Sequence, residues 1–260
     1  MNDIAVIIPM HNLPELTDRC VDATIKNAGL QVDIIVVDDG STIPYKNDKV
    51  SIIRHDVNMG FTEAINTGIR HCIGKYEYIH LLSNDTIPCM DFSKKLYETL
   101  QSNEKIAVAS SVRETPVDGV VYADLYPQDI LSGYSGGIKA EEVQRDGIRY
   151  CPWIPFCSLM IRTDIILRVG LLDSRMRNYC SDNDFCVRAG ELGYDTVLVY
   201  GSRVEHIHGI TMTTHNFVTY HDNKVMAQKV RCDYRRELLD NMPLDFAEDV
   251  WGKLEFTIDE

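Results

Sequence analysis

The chain is short of positive charge: 26 Lys and Arg stand against 39 Asp and Glu, a formal net charge of -13. That balance argues against a protein gripping nucleic acid through a broad basic face, without excluding a local groove; its plainest consequence is solubility. No apolar run approaches the roughly 18 residues that span a bilayer. Met1-Asn2-Asp3 lacks a basic flank, and the apolar run Ile4 to Ile8 is too short for a signal peptide. These absences predict a cytoplasmic protein, or one peripheral to the membrane. The eight cysteines (Cys20, Cys72, Cys89, Cys151, Cys157, Cys180, Cys186 and Cys232) include no C-x-x-C pair. Without a secretory signal they read as thiols, many of them buried as small apolar residues. Neither G-x-x-x-x-G-K-[ST] nor G-x-G-x-x-G follows the first apolar run, which disfavours P-loop enzymes and Rossmann dehydrogenases. G-x-S-x-G is also missing, as are internal repeats and low-complexity tracts.

What is present is a series of short apolar runs, two of which end abruptly in acid. Ile34-Ile35-Val36-Val37 leads into Asp38-Asp39-Gly40-Ser41, and Tyr78-Ile79-His80-Leu81-Leu82 into Ser83-Asn84-Asp85-Thr86. Continuous runs of this length predict strands buried on both faces, and an open α/β sheet binds ligands beyond the carboxyl ends of such strands. Strands are expected at Ile4–Ile8, Ile34–Val37, Val50–Arg54, Tyr78–Leu82, Ile106–Ala109, Cys157–Ile161 and Thr196–Tyr200. Helices are expected at Pro14–Ala28, Phe61–Cys72, Phe92–Ser102, Asp164–Val169, Asp184–Leu192 and Tyr220–Leu239. This alternation implies parallel pairing in a doubly wound α/β sheet. Val112 to Gly147 reads as a long irregular stretch, and with Thr211–Tyr220 it could supply lids. One domain is expected over 1–260, with a nucleotide-binding half at 1–110, an acceptor and catalytic half at 111–215 and a helical tail at 216–260.

Each candidate residue has a structural alternative. Asp38 and Asp39 could cap a turn, yet two adjacent carboxylates exceed what a turn needs, and one could accept from a base or ribose. Asn58-Met59-Gly60 opens a helix whose terminal amides favour phosphate, or it is a simple turn. Asn84 and Asp85 could cap a helix or help hold a metal bridging a diphosphate. In Ser181-Asp182-Asn183-Asp184, before a helix carrying Arg188, one acid suffices for an N-cap and the other remains available as a base. His206 and His208 could bind metal or simply be satisfied histidines. A zinc site from Cys180, Cys186, His206 and His208 is the rival, disfavoured by its cysteine spacing. Tyr150, Trp153, Pro155, Phe156 and Cys157 offer an aromatic platform or core packing. Phe217, Tyr220, Tyr234, Lys229, Arg231, Arg235 and Arg236 offer an acceptor or partner surface.

Taken in order, the motifs resemble those of a family 2 glycosyltransferase of GT-A fold. They are Ile7-Ile8-Pro9-Met10-His11-Asn12, Val36 to Thr42, Asn58-Met59-Gly60-Phe61 with Ala64, Asn66 and Gly68, Ser83-Asn84-Asp85, Val169 to Asp173, Asp182 to Arg188 and Val204 to Gly209. The resemblance implies a Rossmann-like, predominantly parallel sheet flanked by helices. It implies inverting transfer of a sugar from a nucleoside diphosphate, with UDP expected, to a hydroxyl acceptor. A glycan or lipid-linked glycan is the default acceptor, and a protein or modified nucleic acid the alternative. Pro9, His11 and Asn12 would flank base and ribose, Asp39 would bind the base beside Asp38, and Asn58 and Gly60 would line the pocket. Asn84 and Asp85 would form the metal motif for Mn²⁺ or Mg²⁺, with Asp85 the direct ligand and His206 a metal or diphosphate contact. Asp182 would be the catalytic base, with Asp184, Arg188 and His208 in support. Two positions depart from the family pattern, because Ser83 stands where an Asp is usual and Ser181 where a Glu often precedes the base. Those departures keep a catalytically inactive nucleotide-sugar-binding module in view. A sugar nucleotidyltransferase would need a Gly-rich loop with Arg and Lys where His11-Asn12-Leu13-Pro14-Glu15 stands.

Overall fold

A computed structural model describes residues 3–117, 119–124 and 138–207, together with Asp222 and Val225. Its strands are β1 (Ile4–Met10), β2 (Asp33–Asp38), β3 (Ser51–Arg54), β4 (Tyr78–Leu82), β5 (Thr86–Pro88), β6 (Ile106–Val117), β7 (Val120–Asp124), β8 (Ile138–Lys139), β9 (Ile148–Cys151), β10 (Ser158–Arg162) and β11 (Asp195–His206). Its helices are α1 (Pro14–Asn27), α2 (Phe61–Cys72), α3 (Phe92–Ser102), α4 (Thr163–Val169) and α5 (Ser181–Glu191).

One sheet carries all of these strands, in the order β3-β2-β1-β4-β10-β6-β11-β5 along its main path. β1 to β4 pair in parallel, as do β6 and β11. The expected GT-A type sheet flanked by helices is therefore present, its parallel core extended by β5, β7, β8 and β9, which pair antiparallel. β10 is the central exception, running antiparallel between β4 and β6. Alternation reports only local β-α-β links, and β10 reaches the sheet from a distant part of the chain.

Burial on both faces explains the apolar runs. Ala5, Ile7, Ile35 and Val37 pack toward Ala64, Ile65 and Ile69 of α2, while Val6, Ile8, Ile34 and Val36 face Cys20 and Val21 of α1. Successive residues alternate between faces with period two, so a doubly covered strand is apolar at every position. Gly68 lets α2 approach closely, because a Cβ there would stand 2.5 Å from Ile7 Cγ2.

Several boundaries differ from expectation. The stretch after residue 110 is more regular than its composition suggests: β6 continues to Val117 and turns into β7 with Arg113 opposite Asp124. Its polar residues gave no period-two apolar signal. β5, only three residues long, gave none either. β11 runs on to His206 through a register shift between Val199 and Arg203. Buried Arg203 fits inside that strand because its guanidinium pairs with Glu114 and donates to the carbonyls of Ala140, Val143 and Gln144. α5 begins at Ser181 rather than Asp184, which places Asp182 in its first turn. Apart from Asp222 and Val225, the expected helix 220–239 lies outside the described residues, as do the lid 211–220, the Gly-rich run 133–137, His208, Cys232 and the basic and aromatic residues of the tail.

Candidate active site

The carboxyl ends of β1, β2 and β4 gather three loops at one edge of the sheet. At the β2 end, Asp38 is fully buried and its carboxylate is occupied. Oδ1 accepts the Ser41 amide at 3.0 Å, Oδ2 accepts the Tyr45 amide at 3.0 Å, and Arg54 pairs with Oδ2. Burial alone would raise this carboxyl, but those hydrogen bonds outweigh it and hold Asp38 below the usual carboxylate range. Asp38 thus builds the turn. Asp39 is buried too, and it points the other way. Its Oδ1 accepts from His55 Nδ1 at 2.7 Å and from the Met59 amide at 2.8 Å, while Oδ2 accepts the Gly60 amide at 2.8 Å.

Pro9 is buried within β1 opposite Val37, because the strand runs on past its expected end at Ile8 to Met10. The loop proper is His11 and Asn12. His11 Nδ1 donates to the Asp39 carbonyl at 2.8 Å, and Asn12 exchanges hydrogen bonds with Ser41 and Thr42. Asn12 and Leu13 both hold left-handed φ, 59° and 55°. Two successive non-glycine residues in that region are costly and persist where surrounding contacts over-determine them, often at ligand sites.

The start of α2 differs from the phosphate cradle expected of Asn58-Met59-Gly60. The amides of Met59 and Gly60 go to Asp39, Phe61 donates to Asn178 Oδ1 at 3.0 Å, and Thr62 donates to the Arg177 carbonyl at 3.0 Å. Protein acceptors therefore satisfy the groups that a phosphate would otherwise take. Arg177 lies across the turn and donates to Asn58 O and Oδ1 at 2.7 and 2.6 Å. Gly60, at φ 95°, sits beneath it, where a Cβ would come within 2.4 Å of Arg177 Cγ.

β5 and β11 assemble the second acidic cluster. Their antiparallel ladder sets His206 opposite Thr86, and the Ile207 amide donates to the Asp85 carbonyl at 2.9 Å. Asp85 Oδ2 and His206 Nε2 then stand 3.3 Å apart, both largely buried. α1 braces this loop from behind: Thr17 Oγ1 accepts from Asn84 Nδ2 at 3.1 Å, and Cys20 Sγ lies 3.5 Å from the Ser83 carbonyl. A carboxylate and an imidazole at this separation suit a divalent ion whose other ligands come from phosphate and water. Among the described residues no group of three or more His, Cys, Asp or Glu could hold a metal, so the zinc alternative finds no ligand set there.

The turn at 155–157 joins this loop to Asp182. Cys157 O accepts the Ser83 amide at 2.8 Å, and the Phe156 amide donates to Asp182 Oδ2 at 3.2 Å. Phe156 itself packs edge-on against Phe185, and Trp153 lies in the same core, so these aromatics are packing residues. Asp182 also accepts its neighbour Asn183's amide at 2.9 Å and pairs with no cation among the described residues. Burial raises its carboxyl above the ordinary value, and the two amides only partly counter that. Asp184 is different. It receives Arg188 Nε at 2.8 Å, and the same guanidinium donates to the carbonyls of Val169 and Leu171. This pair staples α5 to the turn after α4.

Residue-by-residue reading of the sequence missed Arg54, His55, Arg177 and Asp222, which fix the two loops. Of these, Arg54 ends a strand beside the acidic pair, a position from which its role could have been inferred.

The family model described as Glycosyl transferase family 2 matches residues 5–164. Among curated proteins, the chain is 26% identical over 136 residues to a protein named glycosyltransferase GlyG of Streptococcus pneumoniae, covering 48% of this chain and 44% of that one. An uncharacterized glycosyltransferase of Haemophilus influenzae is 22% identical over 202 residues, covering 73% and 61%. A pre-mycofactocin glycosyltransferase of Mycobacterium tuberculosis is 26% identical over 198 residues, covering 74% and 40%. The chain thus spans less than two thirds of the length of these relatives. Among solved structures, GalNAc-T7 with UDP, GalNAc and Mn²⁺ superposes with a TM-score of 0.61 at 15% identity, over 79% of this chain and 44% of that one.

Proposed function

This chain belongs to glycosyl transferase family 2, and from that premise we propose that it moves a sugar from a nucleoside diphosphate to a hydroxyl acceptor with inversion, Asp182 acting as general base. The observation that carries the reading is the sorting of the carboxylates. Asp38, Asp39 and Asp184 are each tied to Arg or His, whereas among the described residues Asp182 has only main-chain donors, and its proton affinity is raised. A base must be able to take a proton, which burial favours, while the two amide donors partly offset the penalty that burial places on the ionised form.

The donor site is read as follows. His11 and Asn12 border the base and ribose, with Asp39 holding the 58–60 turn in place beneath them. Asp85 and His206 would hold Mn²⁺ or Mg²⁺, and that ion would neutralise charge on the departing diphosphate as a Lewis acid. The mixed carboxylate and imidazole set favours Mn²⁺, and the UDP and Mn²⁺ of the superposable structure suit UDP as the nucleotide here. The 155–157 turn links the Asp85 loop to Asp182, and on this reading Asp182 stands on the acceptor side of the reacting carbon. There its carboxylate takes the acceptor hydroxyl proton as the oxygen attacks. Asp184 and Arg188 keep α5 in register. A glycan or lipid-linked glycan is the acceptor proposed. The described cysteines are thiols and no described helix is long and apolar enough to cross a membrane, which suits a cytoplasmic or membrane-peripheral setting.

The test is metal-dependent release of nucleoside diphosphate from a panel of sugar nucleotides, with titration of donor binding alongside. Asp182→Asn should abolish turnover and keep donor affinity, and Asp85→Ala should lose metal-dependent donor binding. Near-normal turnover by the Asp182 variant would remove the base assignment. Ser83 leaves two protein donors for the metal, which favours a second reading as a donor-binding module. Binding without turnover across the whole panel would establish that alternative.

A further inference from the structure

Asp222 is fully buried and takes no part in the chemistry above. Its carboxylate accepts three successive main-chain N–H groups: Arg177 on Oδ1 at 2.8 Å, and Asn178 and Tyr179 on Oδ2 at 2.7 and 2.9 Å. Three consecutive amides converging on one anion make a concave cradle of the kind that binds carboxylate or phosphate. The cradle lies where two helix N-termini meet. The carbonyl of Arg177 and the side chain of Asn178 accept from the first turn of α2, and Thr62 Oγ1 donates to Ser181 Oγ at 3.0 Å. The chain then passes through Cys180, held at φ 64°, directly into Ser181 and Asp182.

We propose that Asp222 is a positioning residue that holds the 177–180 loop and through it orients Asp182; this rests on the reading of Asp182 as the base. Without the carboxylate the three amides lose their acceptor, and the loop must open toward water to satisfy them. Cys180 can then leave its left-handed conformation, which swings the first turn of α5 and the base with it. The donor-side contacts of Asp39 with Met59 and Gly60 do not involve this loop's amides. The loop still touches the donor-side turn through Arg177 and Asn58, so the defect should fall on turnover more heavily than on donor binding.

The experiment measures nucleoside diphosphate release from the sugar nucleotide that turns over best, with water as acceptor, and donor affinity by calorimetry. Asp222→Ala should lower kcat about 10²-fold, the scale expected of a base displaced by an ångström, with a much smaller change in donor KM and affinity. Formate, small enough for the three-amide cradle, should restore part of that kcat and do nothing for Asp182→Asn. Asp222→Asn keeps the size and one acceptor oxygen, and it carries the same expectation at reduced scale should the alanine variant not fold. Wild-type kcat in a folded Asp222→Asn protein, or a kcat loss matched by an equal loss of donor affinity, would overturn the proposal. Turnover by Asp182→Asn would instead sink the base reading itself. An inactive Asp182→Asn beside a fully active Asp222→Asn would sink only the role of Asp222.

Discussion

Acidification should destabilise this fold through one histidine. His80 lies in β4, fully buried, its ring nitrogens 2.9 Å from Ser93 Oγ and 3.0 Å from Ser158 Oγ. Ser158 continues to Ser111 at 2.8 Å, Ser111 to Ser202 at 2.7 Å, and Ser202 donates to the Phe92 carbonyl. The imidazole is therefore satisfied in its neutral form, and among the described residues no anion pairs with it to balance a charge. Burial pushes its pKa down from 6.5 to about 3. Between those values the unfolded chain binds a proton that the folded one refuses, so stability is intact above pH 6.5 and falls as the pH drops toward 3. At 1.36 kcal/mol per pH unit, going from about pH 7 to about pH 4 should remove about 3 kcal/mol through this residue. Urea unfolding at several pH values, for the native chain and for His80→Gln, isolates that contribution. The variant should be less stable at neutral pH, because glutamine fits the two hydroxyls less well, and should have a shallower stability-pH slope. Equal slopes for the two proteins would refute the assignment.

Three further outcomes follow from the site. The acid limb of the pH-rate profile should lie above the ordinary carboxylate range, because burial raises Asp182; activity falls as the pH drops through that raised value. Steady-state rates in a series of buffers measure it. Gly60→Ala places a Cβ 2.4 Å from Arg177 Cγ at a positive φ, and should cost about 1–3 kcal/mol by chemical denaturation while raising donor KM. Cys20, Cys72 and Cys186, pushed up to about 12 by burial, should resist a disulfide-exchange reagent in the native state and react on unfolding.

The sequence carried the first half of the chain well because its signals were local. The runs at Ile34–Val37 and Tyr78–Leu82 are strands buried on both faces, and the acids sit where those strands end. It carried less of the second half because the determinants there are partners distant in sequence. β5 has three residues and exists as a ladder with the end of β11, so the approach of His206 to Asp85 had no local trace beyond the family resemblance. β10 has an ordinary strand pattern, and its reversed direction is a property of the sheet and not of its residues. The two acidic pairs show the same limit. Asp38 and Asp39 are adjacent and alike in sequence, yet one faces Arg54 and the other His55 and the start of α2.

The most consequential of these distant contacts make the two ends of the site one mechanical unit. Asp39 fixes the 58–60 turn, that turn supports Arg177, and the Arg177–Asn178 segment caps α2 and leads into Asp182. A side chain inserted at Gly60 displaces Arg177, and the displacement passes along the same segment that leads into Asp182, the proposed base. Gly60→Ala should therefore lower kcat as well as raise donor KM, although residue 60 is distant in sequence from the base. Asn58→Ala removes one acceptor of Arg177 and leaves the backbone frame, so it should affect donor binding more than turnover. A kcat unchanged in Gly60→Ala would mean that the loops move independently, and that the contacts between α2 and the 177–178 segment do not transmit position to Asp182.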